Sequence, residues 1–309
     1  MPRSSIISML LFRGLIAIVA IADLACAAPG SAITHHEIPS VASLDYRSTE
    51  TLLSLGIVPT AVIDSNTPYF TLRGAVKASN LGTIIQPNLE LLSQISPELV
   101  LTSPEFKHMT PRLSGIATVK SLTLYSPEFE ANSWQRMTSF TREVGEAVDA
   151  ADLAEDVIQE AEAHFQSLRK RIADDQIPPL LIVRLMDHKH ARVFGNNSLF
   201  QSSLDQLGLS NAWEGAQNHY GITTVSIDSL IDINARLVIL ESPYATNPNR
   251  EQFYISGIWQ HLPIIQRGDA IILPATFNHF GALPSARHFA DVLIDAIEES
   301  RATSYLPKG

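Results

Sequence analysis

The residues of this chain that could carry covalent chemistry are not spaced to do it. Serine, histidine and aspartate are plentiful, but no Gly-x-Ser-x-Gly turn holds a serine exposed beside a base. Neither a P-loop nor a Gly-x-Gly-x-x-Gly cradle is present to take a phosphate on a helix N-terminus. His35, His36 and Glu37 could supply metal ligands, and His188 and His190 have strand spacing with both rings on one face. A zinc site needs further ligands converging from elsewhere. The first group therefore reads as the start of a mature chain, and the second as a solvated loop beside Lys189. Cys26 has no second cysteine, which excludes an intramolecular disulfide, a cysteine-rich zinc site and an iron–sulfur cluster. No catalytic residue, metal or cofactor is assigned, which leaves non-covalent binding as the chemistry to explain.

Charge narrows what could be bound. Lys plus Arg is 22 against 32 for Asp plus Glu, a formal net charge of −10. A nucleic-acid binder needs clustered cations to displace counterions from phosphates, so nucleic acid is excluded as a partner. The first residues read as an address. Arg3 and Arg13 precede an apolar run from Gly14 to Ala22, and small residues follow at Ala25-Cys26-Ala27-Ala28. That is the pattern of a secretory signal over residues 1–27, too short for a comfortable membrane span. The expected compartment is the periplasm. Lipidation of Cys26 stays open, although Asp23 stands where lipoprotein signals usually place Leu.

The elements that must position a binding site alternate between strand and helix, as in α/β architecture. Strands are expected at Val41–Leu44, Thr60–Ile63, Leu99–Thr102, Val119–Leu124, Leu180–Leu185, Leu237–Leu240 and Ala270–Leu273. Helices are expected at Thr49–Leu55, Pro87–Ile95, from Ser133, at Phe200–Leu207 before Gly208, and at Ser285–Glu299. Between about 150 and 173 no glycine or proline interrupts a helical pattern. Leu153, Val157, Ala161, Phe165, Leu168 and Ile172 mark one apolar face there. Those 24 residues would run roughly 36 Å, the width of a domain. The expected architecture is two α/β lobes, 38–145 and 176–303, joined by one long rigid helix within 146–175. Clefts between lobes are favoured ligand sites.

Several segments together are specific. Val193-Phe194-Gly195-Asn196-Asn197-Ser198-Leu199-Phe200-Gln201 continues as Leu204-Asp205, Asn211-Ala212-Trp213, Gly215 and Val225-Ser226-Ile227-Asp228. The N-terminal half adds Leu55-Gly56-Ile57-Val58-Pro59 and Pro87-Asn88-Leu89-Glu90-Leu91-Leu92, and the last helix adds His288-Phe289 and Val292-Leu293. Over about residues 38–298 the chain resembles the periplasmic ferric-hydroxamate-binding protein family, the soluble receptors of siderophore ABC importers. The resemblance implies two lobes bridged by a rigid helix, little hinge closure, and capture of a ferric siderophore without catalysis. It also implies delivery to an inner-membrane permease by a monomer.

Carried over position by position, the resemblance places Tyr46, Tyr69, Phe70 and Phe106 of the first lobe at the ligand. From the second lobe it places Asn218, Tyr220, Asn278, His279 and Phe280 there. Arg192 stands where the family shows an apolar contact. The family's hydroxamate-binding arginine is matched by Ile84, and its tyrosine by the stretch Ser103-Pro104-Glu105-Phe106, which has none. Arg192 and Arg73 are the expected replacement cations, suited to a carboxylate or mixed siderophore. Asp228 is the expected permease-docking residue of the second lobe; in the first lobe no position matches clearly, and Glu105 and Glu128 are the acidic candidates. Alternative readings are a receptor of the same fold for cobalamin, haem or a metal ion, and a secreted α/β hydrolase.

Overall fold

The computed structural model describes residues 38–63, 77–128, 132–187, 189–241, 263–266, 270–274 and 276–304. The expected signal segment 1–27 lies outside these residues, and no described helix is long and apolar enough to cross a membrane. The first lobe runs through β1 (Val41–Ser43), α1 (Tyr46–Ser54), β2 (Ala61–Val62) and β3 (Ser79–Asn80). It continues through α2 (Leu89–Ile95), β4 (Leu99–Thr102), a 3-10 turn (Pro104–Met109), α3 (Thr110–Leu113) and β5 (Thr118–Ser121). Its sheet has the order β3-β2-β1-β4-β5 with every neighbour parallel. Parallel strands covered on both faces need continuous apolar runs, and β1, β2 and β4 are buried throughout. Helix starts are set by side chains that accept orphan N–H groups. Asp45 caps α1 through Ser48 N–H (3.0 Å) and Asn88 caps α2 through Leu91 N–H (2.9 Å).

Two helices, α4 (Ser133–Ala147) and α5 (Ala151–Arg171), carry the chain to the second lobe. There the elements are β6 (Leu180–Leu185), β7 (His190–Phe194), α6 (Leu199–Leu207), β8 (Ile222–Ser226), β9 (Arg236–Leu240), α7 (Pro263–Gln266), β10 (Ile271–Leu273) and α8 (Leu283–Ser304). The sheet order is β10-β9-β6-β7-β8; β6, β9 and β10 are parallel, whereas β7 is antiparallel to both β6 and β8. Gly208, at φ 74°, ends α6 in the left-handed conformation that glycine adopts without a side-chain clash.

One apolar cluster is continuous between the sheets. It takes Val41, Leu99 and Leu101 from the first and Leu180, Ile182 and Val238 from the second, joined through residues of α4, α5, α6 and α8. Separate clusters cover the outer face of each sheet. Helix α5 buries Ala154, Ile158, Ala161, Phe165 and Leu168, and the edge of Trp134 packs on Phe165 at 5.3 Å between ring centroids. The expected face is therefore displaced at its start: Leu153 is 40% exposed and Ala154 takes the buried position. Because α4 and α5 flank a turn at 148–150 in which Asp149 has φ 55°, the uninterrupted helix begins at Ala151. At 21 residues it spans about 32 Å.

Candidate functional site

Strand order reverses between β1 and β4 in the first sheet and between β6 and β9 in the second. In open α/β sheets, ligands bind at such switch points, outside the carboxyl ends of the strands. In the first lobe those ends lead into Asp45, Arg47 and Glu50 after β1, and Glu105 after β4. Arg47 donates to Asp45 at 2.8 Å and to Glu105 at 3.3 Å, and its guanidinium lies 5.9 Å from the Tyr125 ring centre. Burial works against the Arg47 charge, but the two carboxylates outweigh it and raise its pKa above the ordinary arginine value. Burial likewise works to raise the pKa of Glu105, yet hydrogen bonding and the Arg47 charge win and hold it at about 2. Glu105 is thus a fixed anion.

The second lobe meets this network directly. The Tyr220 hydroxyl donates to the Glu105 carboxylate at 3.0 Å. Its ring lies 5.5 Å from that of Tyr125, 5.9 Å from Phe280 and 4.0 Å from His219. Beside it the first lobe clamps the start of α8. The Tyr125 hydroxyl donates to Gly281 O at 3.0 Å, Ala282 N–H donates to the Glu50 carboxylate, and Ser285 Oγ–H donates to it at 2.6 Å. A Cβ on Gly281 would run into Ser285 Oγ and the Glu50 carboxylate, so only glycine allows this approach. Glu50 serves as a cap for a helix of the other lobe, meeting N–H groups that have no partner within that helix.

On the second sheet, Arg184 of β6 and Arg192 of β7 stand directly opposite each other. Next to them His279 is 7% exposed, its ring set among Phe194, Phe200 and Phe277 at 5.8, 5.9 and 5.6 Å. Burial, then the charges of Arg184 and Arg192, lower its pKa to about 3, so the ring is neutral.

The expected residues divide between the seam and other places. Tyr220, Phe280, Asn278 and Asn218 come together on its second-lobe side. Both asparagines also shape their own loops: Asn218 Oδ1 accepts Tyr220 and Ile222 N–H, and Asn278 Oδ1 accepts Phe280 N–H. Two of the expected residues are enclosed. Phe106 is 3% exposed in the core under the first sheet, because the 3-10 turn aims residues 106 and 109 inward and leaves Glu105 outside. His279 is enclosed by phenylalanines rather than open as a donor at the seam. Tyr46 begins α1, half-buried against the same core as Phe106. Tyr69, Phe70 and Arg73 lie outside the described residues, as do His35, His36, Glu37 and His188. Asp228 is exposed in the first turn of a short 3-10 helix, with Ser226 Oγ–H 3.4 Å from its carboxylate. Glu128 is exposed on a turn. The exposed His190 ring pairs with Asp187 at 2.9 Å. Among the described residues no group of His, Cys, Asp and Glu converges as a metal site. Arg47, Glu50, Tyr125 and Arg184 were not anticipated. An Asp-x-Arg pair at the end of a buried strand is the signal that could have found the first of them.

The sequence is similar to known proteins over most of its length. It matches the family described as periplasmic binding protein over residues 41–276. It is 30% identical over 266 residues to the iron(3+)-hydroxamate-binding protein FhuD of Escherichia coli, covering 83% of this chain and 86% of that one. To the achromobactin-binding periplasmic protein of Dickeya dadantii it is 24% identical over 268 residues, covering 81% and 84%. Its fold matches the siderophore-binding protein FhuD of Vibrio cholerae, solved with Fe3+–Desferal, at a TM-score of 0.76 and 22% identity, covering 84% of this chain and 97% of that one. With two switch points facing one seam and a family match across both lobes, the chain belongs to the periplasmic binding proteins, a family of substrate-binding proteins rather than enzymes.

Proposed function

We propose that this protein is the periplasmic receptor of an ABC importer, binding a ferric siderophore at the seam and delivering it to an inner-membrane permease. The observation that carries this reading is Tyr220, which reaches from the second lobe to Glu105 of the first beside Tyr125 and Phe280. A ferric chelate is a large oxygen-rich object whose receptor needs aromatic faces and a few donors. The seam supplies both, and relatives over most of the chain bear the names of siderophore-binding proteins. An incoming ligand would displace the Tyr220–Glu105 contact and expose the Tyr220 hydroxyl as a donor. The chain would act as a monomer, with Asp228 facing the permease.

The test is a fluorescence titration of the mature chain with ferric hydroxamate, ferric citrate, ferric catecholate, cobalamin and haem, using Trp213 as a reporter. Saturable quenching by a ferric chelate, with the ligand recovered unchanged, is the expected result. Binding of cobalamin or haem alone would replace the ferric siderophore as ligand, and ligand turnover would contradict a receptor.

A further inference from the structure

Glu105 differs from the charged groups around it at the seam. Asp45, Arg47, Glu50 and Arg136 are each 8% exposed or less, and each is engaged within the protein. Asp45 accepts from Arg47, Glu50 holds the start of α8, and Arg136 donates to Asn197 O at 3.1 Å. The Glu105 side chain, by contrast, is 43% exposed. With its pKa held at about 2 it is an anion at neutral pH, so among these groups its charge is the one that an entering ligand meets. Arg47 and Tyr220 donate to the same oxygen, Oε1, at 3.3 and 3.0 Å. Arg47 belongs to the same lobe as Glu105. Tyr220 comes from the second lobe, and its hydroxyl is the donor that a ligand entering the seam displaces. A partly buried carboxylate that loses a donor is destabilised unless another takes its place. The place of that donor is bordered by the half-buried rings of Tyr220 and Phe280, 5.9 Å apart, with Tyr125 behind them. Aromatic faces attract cations. Carboxylate and rings therefore favour the same kind of group, a positively charged donor.

We propose that Glu105 selects the ligand by charge, receiving an ammonium group of the ferric chelate in place of the Tyr220 hydroxyl. The ligand class is then a ferric chelate that carries a basic amine, and Glu105 is a specificity-determining residue at the ligand rather than a docking residue. The proposal rests on the ferric-siderophore reading above and names its ligand class. A hydrogen bond between two ions is roughly twice as strong as one between neutral groups, so an ammonium restores at least what the Tyr220 hydroxyl gave. An anionic chelate would displace the same hydroxyl, bring no donor and be repelled by the carboxylate it uncovers.

The experiment is calorimetric titration of the mature protein, E105Q and E105D with three ferric chelates. They are ferric desferrioxamine B, whose free amine is an ammonium at neutral pH, the same chelate with that amine acetylated, and ferric citrate, an anion. The first two differ only at the amine, so the ratio of their Kd values reads recognition of the charge. Wild type should bind the ammonium form ~10-fold or more tightly than the acetylated one, the scale of a charge-assisted hydrogen bond. That ratio should shrink as salt rises. In E105Q it should fall to ~1, and in E105D, which keeps the charge, part of it should remain. Should E105Q fail to fold, the wild-type ratio, its salt dependence and E105D decide. Equal wild-type affinity for the two forms, a ratio unchanged in E105Q, or tightest binding of ferric citrate, whose charge would suit Arg192 instead, overturns selection by Glu105 and leaves ferric-siderophore capture standing. No binding of any ferric chelate overturns the capture function itself, and the selection with it.

Discussion

Burial of the Glu50 carboxylate raises its pKa to about 7, although Ser285 and Ala282 both donate to it; Asp45 pushes in the same direction as burial. The unfolded chain would hold this group near 4.5. The folded state therefore binds the proton more tightly. The stability this adds is complete below the unfolded value and lost as pH rises through the folded one. Across that window the slope is at most about 1.4 kcal/mol per pH unit. Thermal unfolding between about pH 5 and pH 8 should show a Glu50-dependent decline that Glu50→Gln removes. An unaltered slope in the variant would assign the titration to another group. The same residue shows why half of the site was not legible in the sequence. Helix α1 buries Arg47, Ser48, Thr49, Glu50 and Thr51, a polar run that hydrophobic periodicity sends to solvent. Tyr220 and Phe280 are expected from the family resemblance and stand side by side at the seam, whereas a charge network is recognised only once its partners from other elements are in place. Phe106 is buried in the core under the first sheet, and nothing in its local pattern distinguishes an aromatic aimed at a ligand from one aimed at a core.

Elements were legible where burial is two-sided. β4 and β6 occupy the expected residues, Leu99–Thr102 and Leu180–Leu185, because continuous apolar runs between turn signals have few other uses. The strands β7 and β8 were not assigned. They extend the sheet to its edge, where positions such as His190, Thr224 and Ser226 are exposed and interrupt the pattern. β3, at two residues, leaves little period to read. Helix α5 was recognised in extent but its face was displaced at the first turn, since Leu153 looks more buriable than Ala154. Close packing against neighbouring helices selects the small side chain instead: the Ala154 methyl sits where a Cβ on Gly145 of α4 would collide with it. A substitution pair tests that phase. Ile158→Ala should cost about 2–4 kcal/mol of unfolding free energy through loss of buried methyl groups. Leu153→Ala should stay within about 0.5 kcal/mol. Equal effects in denaturant unfolding would mean that the helix is rotated from the described face.

At the scale of the molecule, the lobes are joined by more than the chain that runs between them. His164 and Arg171 of α5 pair with α8 at Asp291 (2.5 Å), Asp295 (2.8 Å) and Glu298 (2.5 Å), so one helix of the second lobe is braced along the connecting helix. A receptor held this way must present its docking surface largely preformed. If Asp228 meets the permease, Asp228→Lys should lower uptake of radiolabelled ferric ligand by cells several-fold while ligand affinity in solution is unchanged. Uptake at the wild-type rate would remove Asp228 from the docking surface. The Glu50 clamp on the start of α8 has another consequence, which concerns how the chain reaches its native state. It joins positions 232 residues apart in sequence. During synthesis, or on emergence from a translocation channel amino end first, α1 exists long before the turn that donates to it does. Its carboxylate must stay hydrated until nearly the whole chain has arrived. Loop-closure entropy makes so distant a contact late. The same carboxylate that locks the finished seam thus also postpones it, keeping the first lobe from closing on anything but the last helix.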